Sequence, residues 1–174
     1  MTREDKNLLL MLSKNTLSKS LGLSYKDIDA TSINQQRGAF VTLKEKGSLR
    51  GCIGYIFGIK PLYQEIIDLT LDAAFNDYRF PPLVKEEFEF IDIEISVLSE
   101  PQLINDLSEF KLSRDGIIIA MDNKKAVFLP QVADETGWSK DELLKALCRK
   151  ARLDKNAYKS KDADFLTFQA EVFS

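Results

Sequence analysis

A chain of 174 residues, 44% hydrophobic and 29% charged, is long enough to bury one good core and reads as a soluble globule of one domain or two intimately packed halves. Its 24 basic and 27 acidic side chains give a net charge of -3, which provides no overall attraction for nucleic acid or an anionic membrane. It contains no histidine, which excludes Ser-His and Cys-His nucleophile pairs and removes the commonest metal ligand, so any chemistry falls to Cys, Asp, Glu, Lys, Tyr or a borrowed cofactor.

At the amino terminus the apolar run Leu8 to Leu12 is too short for a secretory core or a membrane span, and a cytoplasmic protein is expected. Thr2 and Asp5 open a helix predicted over residues 3 to 21. Gly38 to Lys44 and Ser48 to Tyr55 read as two strands of a hairpin around Lys44-Glu45-Lys46-Gly47. A helix follows from Pro61, with Leu62, Ile66, Leu69 and Ala73 in one apolar row and Tyr63, Ile67 and Ala74 in the next, and it must stop before Pro81-Pro82. Ile91 to Val97 alternates apolar and polar without a slip, the pattern of a strand buried on one face, and Pro101 ends it.

The second half repeats this plan. Gly116 to Met121 and Ala126 to Leu129 form a hairpin around Asp122-Asn123-Lys124. Ser139 and Glu142 make a capping box for a helix reaching about Leu153, with Trp138 packing on it as a staple, and Phe165 to Phe173 closes as a single alternating strand. Equivalent landmarks recur after about 75 to 78 positions. The fold predicted is α+β and a single domain over residues 1 to 174. Two similar hairpin-helix-strand halves, about 38 to 98 and 116 to 173, surround one mainly antiparallel, barrel-like sheet with flanking helices.

The stretch Gly47-Ser-Leu-Arg-Gly-Cys-Ile-Gly54 surrounds a cysteine and an arginine with three glycines. Glycine within a strand marks a bulge, a bend or a close backbone approach. On a regular strand Arg50 and Cys52 share a face roughly 6.5 Å apart, where a fixed positive charge would favour thiolate by at most about 2.5 kcal/mol. The competing interpretation makes Cys52 a small packing residue and the glycines sheet-bending devices. Cys148 falls on the apolar stripe of its helix and is assigned to the core; neither cysteine belongs to a Cys-x-x-Cys pattern. In Phe75 to Leu83, Asp77 and Arg79 either cap the helix locally or bring Arg79 beside Arg50 as an anion pocket. The basic run Lys145, Arg149 and Arg152, extended by Lys150, Lys155, Lys159 and Lys161, reads as a solvated face or a phosphate track. No phosphate-binding glycine loop, nucleophile elbow or metal-spaced carboxylate cluster occurs.

Several of these segments together resemble the AMMECR family, whose prokaryotic members are also called AmmeMemoRadiSam system protein A. They are Gly38-Ala-Phe-Val-Thr-Leu43, Leu49-Arg-Gly-Cys-Ile-Gly54, Asp77-Tyr-Arg-Phe-Pro-Pro-Leu83, Ile93-Glu-Ile-Ser-Val-Leu98 and Leu129-Pro-Gln-Val-Ala133 followed by Gly137-Trp138. The hexapeptide Leu49 to Gly54 is the hallmark. The resemblance implies an α+β fold of two similar halves around a barrel-like sheet, and partners in a Memo-like and a radical SAM protein. It delivers no reaction and no cofactor. Carried over position by position, it singles out Arg50, Gly51, Cys52, Gly54, Asp77, Arg79, Pro81, Pro82 and Glu94. Tyr78 stands where proline is common, and Lys150-Ala-Arg-Leu153 replaces a Lys-Ala-Gly-Leu.

The functional expectation is a cleft around the Leu49 to Gly54 strand acting in or beside a modification pathway. In it Cys52, Glu94 and Asp77 are catalytic, and Arg50, Gly51, Gly54 and Arg79 bind a small anionic ligand. The alternative is a non-catalytic partner-binding or scaffold domain, with an RNA-binding module a lesser one. Whether the chain is an enzyme stays open.

Overall fold

The computed structural model describes residues 1–174 and resolves the chain into two compact units, Met1–Leu98 with Glu171–Ser174, and Ser99–Ala170. In the first, helix α1 (Arg3–Ser20) is opened by a capping box in which the Thr2 hydroxyl accepts the Asp5 N–H and the Asp5 carboxylate accepts the Thr2 N–H. Strands β1 (Ala39–Glu45) and β2 (Ser48–Tyr55) form the hairpin. Lys46 and Gly47 both take positive φ, 49° and 83°, as a two-residue turn with the right twist demands. Helix α2 (Leu62–Phe75) begins after Pro61, which stands just outside the first turn as its cap residue. A short 3-10 turn (Lys85–Phe90) leads into β3 (Ile91–Leu98).

Sheet order in this unit is β2-β1-β3-β8, with β8 (Ala170–Phe173) supplied by the far end of the chain. Ala39, Val41, Leu43, Ile95 and Val97 turn to one face, where they are buried against Leu9, Leu12 and Leu17 of α1 and Leu62, Ile66, Leu69 and Ala73 of α2. Between the two helices the hydroxyls of Ser13 and Thr70, both wholly buried, lie 2.8 Å apart. Thr70 donates to the Ile66 carbonyl, so Ser13 is the donor of the pair and no hydroxyl proton is wasted. Phe40, Thr42, Lys44, Cys52 and Glu94 occupy the other, partly open face.

In the second unit β4 (Gln102–Ile104), β5 (Gly116–Met121), β6 (Lys124–Phe128) and β7 (Asp164–Phe168) lie in the order β4-β7-β5-β6. Helix α3 (Gln131–Thr136) ends at Gly137, and α4 (Lys140–Lys150) starts at the Ser139/Glu142 capping box. Phe110, Ile117, Ile119, Leu144, Leu147 and Cys148 form its core. Trp138 packs tilted against Phe128 of β6, with ring centroids 6.3 Å apart.

The repeated unit is visible in the pairing. In each sheet the first hairpin strand is central, flanked by its hairpin mate and by the strand that follows the helix, β2-β1-β3 and β6-β5-β7. The expected α+β class holds, with antiparallel ladders. The single barrel-like sheet is corrected to two open four-stranded sheets. The reason lies at Gln169: the predicted strand 165 to 173 breaks there, β7 ending at Phe168 and β8 starting at Ala170. Its backbone leaves the ladder to meet Ser99, the Gln169 N–H donating to Ser99 Oγ at 2.9 Å and its carbonyl accepting the Ser99 N–H at 2.8 Å. With those groups satisfied locally, one alternating segment can serve two sheets.

Candidate functional site

The hairpin of β1 and β2 is not regular. Its register slips between Leu43 and Lys44, so that Leu43 faces Gly51 and Lys44 faces Leu49, leaving Arg50 as the extra residue of a β-bulge. Arg50 and Gly51 are consequently buried in succession, and the alternation that would set Arg50 and Cys52 on one regular face is interrupted. The Arg50 guanidinium, 7% exposed, makes two bonds to Glu87, Nε to Oε1 at 2.7 Å and Nη2 to Oε2 at 3.0 Å. Those bonds lower the Glu87 pKa, aided by the Val84 N–H and opposed by burial. Arg50 Nη1 is buried without a partner. The Arg50 charge is compensated by the Glu87 carboxylate through its other two nitrogens.

The bulge brings Thr42 opposite Cys52, and the Thr42 hydroxyl donates to Cys52 Sγ at 3.2 Å. On the other side of Cys52, Asp77 Oδ2 accepts its N–H at 3.0 Å and Arg79 Nη2 donates to its carbonyl at 3.0 Å. Both main-chain groups of Cys52 thus face away from β1. Thr42 and Cys52 are then a non-hydrogen-bonded pair, the kind with closer side chains. Since β2 is an edge strand, Asp77 and Arg79 take the place that a further strand would fill.

Asp77 and Arg79 are also bound to each other, Arg79 Nε to Oδ1 at 2.9 Å and Nη2 to Oδ2 at 2.6 Å. The guanidinium bonds hold the Asp77 carboxyl well below the usual carboxylate range against its burial, and the Cys52 and Arg79 backbone N–H groups add to the effect. The same pairing raises Arg79, with a smaller contribution from the nearby Cys52 sulfur. The Arg79 side chain remains 44% exposed, and its Nη1 makes no bond to protein.

Two close contacts explain the glycines. A Cβ on Gly51 would stand 2.0 Å from the Ala73 carbonyl oxygen of α2, and one on Gly54 would stand 2.2 Å from the Phe40 ring. Gly51 lets the end of α2 press on β2, which delivers Asp77 and Arg79 to Cys52.

The structure brings together Cys52, Asp77 and Arg79. Glu94 lies across from Thr42 on the same sheet face, two strands and roughly 10 Å of backbone from Cys52, and binds Lys44 at 2.8 Å. Thr42 and Glu87, which the sequence did not single out, hold the two residues that it did. Cys148 is fully buried, and burial pushes its thiol up. No group of three or more His, Cys, Asp or Glu side chains is arranged to hold a metal ion, and no helix is long and apolar enough to cross a membrane.

Comparison with known proteins gives a match of residues 11–173 to the family model described as AMMECR1. A protein of Methanothermobacter thermautotrophicus is 40% identical over 145 residues, covering 80% of this chain and 76% of its own. Protein PF1979 of Pyrococcus furiosus is 38% identical over 149 residues, covering 80% and 71%. Among solved structures, the crystal structure of uncharacterized protein PH0010 from Pyrococcus horikoshii superposes with a TM-score of 0.81 at 30% identity, over 99% of this chain and 92% of that one.

Proposed function

The chain belongs to the AMMECR1 family, and from that footing we propose that it carries a thiol-centred site on the open face of its first sheet. Cys52 is nucleophile or soft contact for a small anionic ligand, Arg79 holds the anion, and Asp77 positions both. The observation that carries this reading is the fixation of Cys52 from three sides, sulfur by Thr42, N–H by Asp77 and carbonyl by Arg79. A side chain held this closely beside an unspent guanidinium nitrogen is preorganised for one ligand geometry. Arg50 and Glu87 support the bulge beneath it. Glu94, paired with Lys44, meets only a ligand long enough to span the sheet face. The reading places the protein in the cytoplasm, consistent with two free thiols, in or beside a modification pathway with Memo-like and radical SAM partners.

The alternative in which the glycine-rich strand receives a partner strand is disfavoured at Cys52, whose outward N–H and carbonyl are already taken by Asp77 and Arg79. For the RNA-binding reading, part of the basic helix is spent internally: Lys145 pairs with Asp141 at 2.5 Å and Lys150 donates to the Val127 carbonyl at 2.9 Å.

Alkylation with a charged and a neutral reagent tests the proposal. Cys52 is expected to react with iodoacetate and iodoacetamide while buried Cys148 does not, and Arg79→Gln is expected to lower the iodoacetate-to-iodoacetamide rate ratio several-fold. An unchanged ratio, or a Cys52 as unreactive as Cys148, would overturn the anion-holding thiol site.

A further inference from the structure

Helix α2 and its cap residue Asn76 present a polar row, Glu65, Asp68, Asp72 and Asn76, at the three- and four-residue spacing of one helix face. These residues line a cavity of about 360 Å³ together with Tyr55 and Lys60, a volume at the lower end of small-ligand sites. Three carboxylates face one ammonium there, so the cavity wall is acidic. Ile59 and Leu71 add apolar surface.

Glu65 is the anomaly. It is 2% exposed, and its Oε2 is buried with no hydrogen-bond partner. A buried carboxylate oxygen without a donor is costly, by several kcal/mol for a full charge, and burial raises the Glu65 pKa while the backbone N–H of Lys60 and the Lys60 charge oppose that rise. The one cation at hand does not satisfy it: Lys60 pairs with Asp68, both about half exposed. Exposed ion pairs of this kind are weak and exchangeable. A lysine ammonium already stands at the mouth of an acidic cavity whose innermost oxygen lacks a donor.

We propose that this cavity binds a primary ammonium group on a short apolar stem, which displaces Lys60 from Asp68 and donates to both Asp68 and Glu65. Tyr55, Ile59 and Leu71 line the stem. The ammonium has three donors, enough for both carboxylates, and no group of three or more such side chains converges there as a metal site would require. Lys60 is thereby a tethered competitor, which fixes the signs of three substitutions. Glu65→Gln and Asp68→Asn remove an acceptor charge and weaken binding. Lys60→Met removes the competitor and tightens it.

The test is titration of the full chain with n-butylammonium, followed by amide and side-chain resonances of Tyr55, Leu71 and Asn76, with n-butanol as the neutral control. Selective shifts with n-butylammonium are expected, tighter in Lys60→Met and at least roughly tenfold weaker in Glu65→Gln, the loss of one charge-assisted hydrogen bond. Asp68→Asn, at an exposed position, gives the same sign without disturbing the core. Nα-acetyl-lysine methylamide in place of n-butylammonium separates a peptide lysine from a free amine as the source, according to which binds more tightly. Equal shifts with n-butanol, or a Lys60→Met variant that binds no better than the parent, would overturn the proposal.

Discussion

At the scale of single residues, the site is a lesson in charge compensation. Two arginines flank Cys52 in the sequence motifs, and each is neutralised by an acid, Arg50 by Glu87 and Arg79 by Asp77. They differ in what remains: Arg50 is sealed, whereas Arg79 keeps an exposed nitrogen. Asp77 matters most for stability because its carboxylate takes up the Cys52 N–H in a buried setting. Asp77→Asn is expected to cost about 2 kcal/mol in denaturant unfolding at neutral pH, the order of cost of an unsatisfied buried donor. Because the folded-state pKa of Asp77 is depressed, its contribution is complete above the ordinary carboxylate pKa of about 3.9 and is lost as pH falls below it toward the depressed value. The difference between parent and variant should therefore be flat from pH 7 to about pH 5 and shrink below about pH 4; a difference that persisted undiminished in acid would contradict the assignment.

At the scale of elements, β2 and α2 act as one device. The expected consequence is that Gly51→Ala, which drives a methyl group into the Ala73 carbonyl, separates helix from strand and destabilises the fold by about 1 to 3 kcal/mol. It should also loosen the Asp77 and Arg79 contacts. Thermal unfolding reads the first effect and the Cys52 amide exchange rate the second, and a variant with parental values of both would remove the close-approach role of Gly51. Much at this scale was legible beforehand. The capping boxes at Thr2 and Ser139, the alternation over Ile91 to Val97 and the hairpin turn glycine at Gly47 are local signals, and local signals survive in a sequence. The bulge at Arg50 was not legible. A two-residue turn at Lys46-Gly47 with no slip would set Thr42 against Gly51, and a single extra residue moves it onto Cys52. The Arg50 partner, Glu87, lies 37 positions away, beyond what periodicity can reach. The quoted motifs could name Cys52, Asp77 and Arg79 but not which arginine stays free.

At the scale of the whole molecule, the repeat read from landmark spacing is real as topology, yet the break at Gln169 was invisible because a glutamine between Phe168 and Ala170 keeps strict alternation. Only its Ser99 partnership reveals that the strand changes sheets. Glu171, just beyond that break, ties β8 to the first unit, with Lys6 at 3.0 Å and Arg37 at 3.7 Å. Glu171→Gln is expected to lower the unfolding free energy modestly, by about 1 kcal/mol for a partly exposed network, with the loss diminishing in high salt. A salt-independent loss would point to packing instead.

The late delivery of edge strand β8 to the first sheet has a consequence for the order of events on the ribosome. Residues 99–170 form a continuous stretch that can close on itself as it emerges, but the sheet bearing Cys52 stays one strand short until residues 170–173 have been translated. The earlier-made half waits on the later one for its last backbone partners, and for that interval the outer edge of β3 is a bare template that a nascent neighbour could pair with.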